Sequence, residues 1–243
     1  MSLNPAFVLA TDLDGTFLGG SERQRTEFYE YIERNRDRLL LVFVTGRHLD
    51  RIDRLYEEEP GVPRPDYIIG DVGTTIICGK THEPISQVQD WVSSLWNNAN
   101  DRIKEMLADE PGIELQPVNP ARRVSYYYQP EKLQSSTVQK IVDAGFDCIL
   151  SADKFLAVMP KGVSKGPTLL RFIEALNLDA ENVIPAGDTL NDYSLFQTGL
   201  KSIAVGNSEP KLVDKIKTMP NVYHSSQPGA AGIWEGLKYY GKH

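Results

Sequence analysis

The sequence predicts an α/β fold: a parallel sheet covered by helices, interrupted along the chain by a smaller α/β unit. Three observations carry this. Short unbroken apolar runs, each stopping at a polar cluster, recur in the first third and again in the last third of the chain, as expected of strands buried on both faces in a parallel sheet. Helical stretches separate them, giving the strand-helix alternation of such a sheet. Between the two halves, from about Gly79 to about Pro160, the pattern changes character.

Phe7 to Thr11 is the first strand, running into Asp12-Leu13-Asp14-Gly15-Thr16. A helix with Phe28, Tyr29 and Ile32 on one side follows, then a strand from Leu39 to Val44 that ends at Thr45-Gly46-Arg47. A charged helix through Ile52 and Leu55 leads to a third strand, Tyr67 to Ile69, halted at Gly70-Asp71-Val72-Gly73. In the middle segment Val88, Trp91, Val92, Leu95, Trp96, Ala99, Ile103, Met106 and Leu107 follow i, i+3, i+4, i+7 spacing, which predicts one long helix with a single buried stripe. Strands are expected at Ile113 to Val118, Arg123 to Tyr128, Phe146 to Leu150 and Phe155 to Met159, with a helix near Leu133 to Val142. These make a small antiparallel sheet backed by two helices. The parallel pattern then resumes. Ser164 is placed to cap a helix with Pro167 in its first turn and Leu169, Leu170, Ile173 and Leu176 along it. Val183 to Ala186 stops at Gly187-Asp188, Ser202 to Val205 stops at Gly206-Asn207, and a last helix runs through Ile233, Trp234 and Leu237.

The chain has 243 residues, of which 41% are hydrophobic, enough for one large domain or two modest ones. A net charge of −7 argues against a broad nucleic-acid surface. No apolar run approaches the roughly 20 residues of a membrane span, and Met1-Ser2-Leu3-Asn4-Pro5 lacks the basic and apolar regions of a signal peptide, so the expected location is cytoplasmic. Cys78 and Cys148 show no metal-site spacing and each sits in an apolar run, which predicts buried thiols. No GxGxxG follows a strand, which excludes a dinucleotide site of that kind. A phosphorylated ligand therefore needs a local site, with a metal.

In open parallel sheets ligands collect beyond the carboxyl ends of the strands. Four polar clusters fall there: Asp12 with Asp14, Thr45-Gly46-Arg47, Gly70 to Thr75, and Gly187-Asp188 with Asn191-Asp192, and Lys165 at a helix start can join them. A bare Asp-x-Asp reads first as a capping turn, and an EF-hand is excluded because Gly15 is at the wrong offset and no glutamate closes the loop. With Asp188 as a third acid at a strand end, the like charges call for a divalent cation or protonation, and hard oxygen ligands favour magnesium. Thr45 and Lys165 supply a hydroxyl and a fixed positive charge suited to phosphoryl oxygens.

In this order and spacing, Asp12-Leu13-Asp14-Gly15-Thr16, Val44-Thr45-Gly46-Arg47, Lys165-Gly166 and Gly187-Asp188-Thr189-Leu190-Asn191-Asp192 resemble the four motifs of haloacid dehalogenase (HAD) superfamily phosphatases. The segment between the second and third resembles that superfamily's C2-type (C2B) cap. Pro65 to Thr74 and His224-Ser225-Ser226 are similar to the sucrose-phosphate phosphatase and mannosylfructose-phosphate phosphatase branch. The resemblance implies a Rossmann-like core at residues 1–78 and 161–243 and a cap at 79–160. It also implies Mg2+-dependent hydrolysis of a sugar phosphate, of the sucrose-phosphate or related disaccharide phosphate kind. Asp12 would be the nucleophile that becomes an aspartyl phosphate, and Asp14 the general acid and then the base. Asp12, Asp188 and the backbone carbonyl of Asp14 would hold magnesium. Thr45, Gly46, Lys165 and Asn191 would bind phosphate, while Asp192 supports Lys165 and the metal shell.

On the strand from Arg123 to Tyr128, alternation sends Arg123, Ser125 and Tyr127 one way and Val124, Tyr126 and Tyr128 the other. Arg123-Val124-Ser125-Tyr126 resembles a Lys/Arg-x-Ser-Tyr stretch of the branch, so Arg123, Ser125 and Tyr126, with Arg47 and Lys154, are candidate sugar contacts. Where the branch carries Asp-x-Asp before Leu-Pro, this chain has Phe155-Leu156-Ala157-Val158-Met159-Pro160. Losing two acceptors for sugar hydroxyls points to a different or smaller sugar phosphate. The alternative is a phosphomannomutase-like enzyme, which needs a second phosphate site in the cap; Arg122 and Arg123 are adjacent and face opposite ways. The expected partner is a small-molecule sugar phosphate, with no nucleic acid, no membrane, and the chain a monomer or weak dimer.

Overall fold

The computed structural model describes residues 5–59 and 61–242; the leader reading of Met1 to Asn4 lies outside them. The first half of the large sheet comprises β1 (Phe7–Thr11), β2 (Leu39–Val44), β3 (Tyr67–Gly70) and β4 (Thr75–Cys78), with α1 (Glu22–Arg34) and α2 (Leu49–Glu58) between. Its second half follows α6 (Lys165–Ala175) and comprises β9 (Val183–Gly187), β10 (Ser202–Ala204) and β11 (Val222–His224), with α7 (Tyr193–Phe196), α8 (Pro210–Ile216) and α9 (Gly229–Tyr239). The strand order is β11-β10-β9-β1-β2-β3-β4, which puts β1 at the centre. Leu9 pairs with Leu41 on one side and Ile184 on the other. Every residue of β1 and β2 is buried. Their side chains alternate between two cores: Phe7 and Leu9 join Phe28, Ile52, Ile233 and Leu237 on one face, while Val8 and Ala10 join Leu169, Phe172 and Leu195 on the other. A period of two in a run that is apolar throughout is what helices on both faces require.

One strand the sequence did not show is added here, and one expectation changes. The chain does not leave the sheet after the third strand. Asp71 (φ 53°), Val72 (φ 59°) and Gly73 (φ 104°) turn it back in the left-handed region, and β4 returns antiparallel on β3, with Gly70 opposite Thr75. The long helix is also two: α3 (Ser86–Trp96) and α4 (Asn100–Met106), broken where Asn97 and Asn98 adopt φ 47° and 53°. Asparagine tolerates that region better than other non-glycine residues. Its stripe serves two cores: Val88 and Val92 pack under the large sheet, whereas Trp96, Ala99, Ile103 and Leu107 pack in the small unit.

That unit is a four-stranded antiparallel sheet, β5 (Ile113–Leu115), β6 (Val124–Tyr128), β8 (Phe155–Pro160) and β7 (Phe146–Ser151) in spatial order, with α5 (Ser135–Asp143). Val124, Tyr126, Tyr128, Leu156 and Val158 face the helices. The other face looks toward the carboxyl ends of the large sheet. Cys78 and Cys148 are free and half-buried. Among the described residues no helix is long and apolar enough to cross a membrane.

α6 lies close against the segment that follows β9, and Gly166 makes this approach possible: a Cβ there would run into the carbonyl of Ser194. Gly166→Ala is expected to lower unfolding free energy by about 1–3 kcal/mol, in the range of overpacking substitutions, read from urea denaturation midpoints against the wild type.

Candidate active site

Each element at the carboxyl edge ends in a functional side chain. β1 delivers Asp12, whose N–H donates to the Ala186 carbonyl at 2.9 Å and so ties it to the end of β9. β2 delivers Thr45, β9 leads into Asp188, and the start of α6 places Lys165 beneath them. The ammonium of Lys165 is fully buried and donates to Oδ1 of Asp12 and Oδ1 of Asp192, both at 2.6 Å. The second oxygen of Asp192 accepts the N–H groups of Asp188 and Thr189 at 3.0 Å each, so this carboxylate braces both the lysine and the loop carrying Asp188. Thr16 donates to Oδ1 of Asp188 at 2.6 Å.

Carboxylate oxygens of Asp12, Asp188 and Asp192 lie within 4.8 Å of one another, all three residues buried. The electrostatics follow. Burial raises the Asp12 carboxyl well above the usual range against the opposing Lys165 charge, with Asp192 and Asp188 adding to the rise. Asp188 is pushed up to about 7, chiefly by burial and then by Asp192, while the Thr16 hydrogen bond and Lys165 oppose the shift. For Lys165, burial lowers the pKa, but the charges of Asp12 and Asp192 outweigh it and the group stays cationic.

Of these groups Asp12 opens into a cleft of about 780 Å³ between the large sheet's edge and the small sheet. Asp14, Gly46, Asn191, Arg123, Ser125 and Lys154 line it. Thr45 is buried and its hydroxyl oxygen accepts the Arg47 N–H at 3.1 Å. The Asn191 side-chain oxygen accepts from the Thr189 hydroxyl at 3.1 Å.

One candidate sugar contact is placed otherwise, and another, Arg47, lines the cleft but is already paired. Tyr126 belongs to the small unit's core, on the face of β6 turned from the cleft, as the alternation along that strand requires. Arg47 is engaged by Asp14: Nε and Nη2 donate to its two oxygens at 2.9 and 2.6 Å. Asp71, not singled out from the sequence, is fully buried and bridges the two sheets. It pairs with Arg123 of the small unit at 3.1 Å, with His48 Nδ1 at 3.1 Å, and accepts from the Thr75 hydroxyl at 2.8 Å. The His48 pKa is raised, first by this hydrogen bond and against burial. Arg123 also donates to the Gly46 carbonyl at 3.1 Å. The signal for Asp71 was an acid within a polar cluster at a strand end; its partners come from segments too distant to infer.

An aspartate beside a buried lysine, a further acid at the next strand end and a capped cleft above them thus stand together at one sheet edge. The chain belongs to the sucrose-6F-phosphate phosphohydrolase family, whose model matches residues 5–241. It is 37% identical, over 96% of its length, to a glucosylglycerol-phosphate synthase of Pseudomonas anguilliseptica, of which it spans 31%. It is 29% identical to the mannosylfructose-phosphate phosphatase of Agrobacterium fabrum, with 98% of each chain covered. The fold matches the sucrose-phosphatase of Synechocystis sp. PCC6803, a structure in complex with sucrose and phosphate, at TM-score 0.87 and 22% identity over 98% of both chains.

Removing the lysine leaves two buried carboxylates facing each other. Lys165→Met is expected to cost about 3–5 kcal/mol of stability in urea unfolding near neutral pH. The loss shrinks toward acid pH, because protonating Asp12 relieves the repulsion.

Proposed function

We propose that this protein is a Mg2+-dependent phosphatase that hydrolyses a glycoside phosphate through an aspartyl phosphate on Asp12. The observation that carries this is the Asp12 carboxylate, held by Lys165 at 2.6 Å at the floor of the cleft. In the first step an Asp12 oxygen attacks phosphorus in line with the departing sugar oxygen, and Asp14, on the cleft wall and released from its pair with Arg47, gives that oxygen a proton. In the second Asp14 takes a proton from water, which attacks the same phosphorus and breaks its bond to the Asp12 oxygen, so that inorganic phosphate leaves. One carboxyl serves both steps because the second reverses its proton transfer. Lys165, Thr45 and the Gly46 N–H hold the phosphoryl oxygens.

The acids suit a divalent cation. Their raised pKa values record mutual repulsion and burial that a cation would relieve, and all the donors are hard oxygens. Asp12, Asp188 and the Asp14 carbonyl would hold magnesium, with Asp192 occupied by Lys165 and two N–H groups. Magnesium there supplies charge to offset the phosphoryl oxygens in the transition state.

The names of the relatives support a glycoside phosphate as substrate, and the cleft has room for one. The mutase alternative finds no support in the small unit: Arg122 Nε donates to the Ser93 hydroxyl at 2.7 Å while Arg123 reaches Asp71, so the two do not converge on one phosphate.

Phosphate release from glycoside phosphates is expected only with a divalent cation, and Asp12→Asn should lower turnover by more than about a thousandfold; conversion of a hexose 1-phosphate to its 6-phosphate would instead reveal a mutase. The pH dependence has a definite sign. Without metal, the folded state holds the Asp188 proton more tightly than the unfolded one, so this group's contribution to stability falls as pH rises from 3.8 toward about 7. Magnesium must displace that proton. The thermal shift it produces in scanning calorimetry is therefore larger above about pH 7 than below it.

A further inference from the structure

Resting on the glycoside-phosphate reading, we propose that Tyr127 and Phe155 form a stacking platform for the substrate's glycosyl ring and so determine which sugar phosphates are accepted. The register of the small sheet makes its cleft face a grid. Ser125 stands opposite Ala157, and Tyr127 opposite Phe155. Arg123 begins the grid at the end nearest the large sheet, where it reaches Asp71. Alternate residues on one strand face are about 7 Å apart. From the catalytic edge outward the face therefore runs from a guanidinium to a low floor of Ser125 and Ala157, then to two tall rings about 14 Å from the start. The recess between matches one sugar ring with its linkage.

Both walls of this recess have unmet interactions. Arg123 and Ser125 are only 7% and 4% exposed, yet Arg123 Nε and the Ser125 hydroxyl are buried without a hydrogen-bond partner. A buried donor left unmade costs about 1–3 kcal/mol, and both line the cleft. Tyr127 and Phe155 are 36% and 38% exposed, with ring centroids 6.0 Å apart and planes inclined by 43°, whereas Val124, Tyr126, Leu156 and Val158 on the sheet's other face are buried. Lys154 Nζ lies 5.6 and 5.4 Å from the two centroids and marks the outer rim. A pyranose has the complementary surface: oxygen acceptors around its edge and an apolar C–H face. On this chain's own residues, the sugar would be read by its apolar face and by the donors of Arg123 and Ser125.

The test compares kcat/KM for glucosylglycerol phosphate and for glycerol 3-phosphate, which lacks the ring, in the wild type, Phe155→Ala, Tyr127→Ala, Phe155→Leu and Phe155→Tyr. The wild type should prefer the glycoside. That preference should fall about tenfold, equivalent to about 1.4 kcal/mol, in both alanine variants through KM, fall likewise in Phe155→Leu, and be retained in Phe155→Tyr. An unchanged preference in both alanine variants, or a loss carried by kcat alone, overturns the platform. Should the wild type hydrolyse neither compound, the phosphatase reading fails, and calorimetric titration with neutral glucosylglycerol still decides the subsite. Binding weakened about tenfold by Phe155→Ala supports it, and equal binding, or none to the wild type, overturns it.

Discussion

A wholly buried ammonium held between two carboxylates is the interaction on which the rest of this structure depends. Such a charge is tolerated only when its partners are fixed and hydrogen-bonded. That demand explains why three segments far apart in sequence meet at one sheet edge. Lys165 needs Asp12 from β1 and Asp192 from the turn after β9, and Asp192 in turn holds the N–H groups that fix Asp188. Gly15, at φ 81°, lies against the Asp188 carboxylate, where a Cβ would collide, so the loop after β1 can close over the acids only with glycine there. The cluster of acids is kept from flying apart by one cation of the chain and is suited to a second from solution.

The same edge is joined to the small sheet by a second buried ion pair. Asp71 sits in a left-handed turn, an uncommon conformation for a residue with a side chain, and holds Arg123 from β6 along with His48. An exposed pair, Lys211 with Asp153 at 2.7 Å, spans the two units elsewhere. Exposed pairs contribute little, so the buried contact holds the small sheet's cleft face above the Asp12 carboxylate. Arg123, which lines the cleft, is thus anchored to Asp71 and to the Gly46 carbonyl beside Thr45.

The large sheet was legible because strands buried on both faces must be continuously apolar, and Phe7 to Thr11 and Leu39 to Val44 leave no other reading. The acids were legible because they follow those strands directly. What was not legible depends on backbone reversals or tertiary partners. The edge strand at Thr75–Cys78 follows a turn that reads as a loop, and β11 has only three residues, too few to show a period. The helical stripe from Val88 to Leu107 keeps its spacing across the break at Asn97 and Asn98, so periodicity alone could not reveal it; the asparagine pair was the available sign. Strand alternation already separated Tyr126 from Ser125, and burial assigns the tyrosine to the core. Asp71 needed partners some 23 and 52 positions away, His48 and Arg123, that no local pattern connects to it.

The central claim is that phosphorus passes through a covalent bond to the carboxylate at the end of β1. The direct measurement is acid quench of a single turnover with a glycoside phosphate and magnesium, reduction of any acyl phosphate by borohydride, and peptide mass spectrometry. Conversion of Asp12 to homoserine, dependent on substrate, is the predicted result. Turnover with no reduced residue at that position, or with the label at Asp14 or Asp188, would contradict the account.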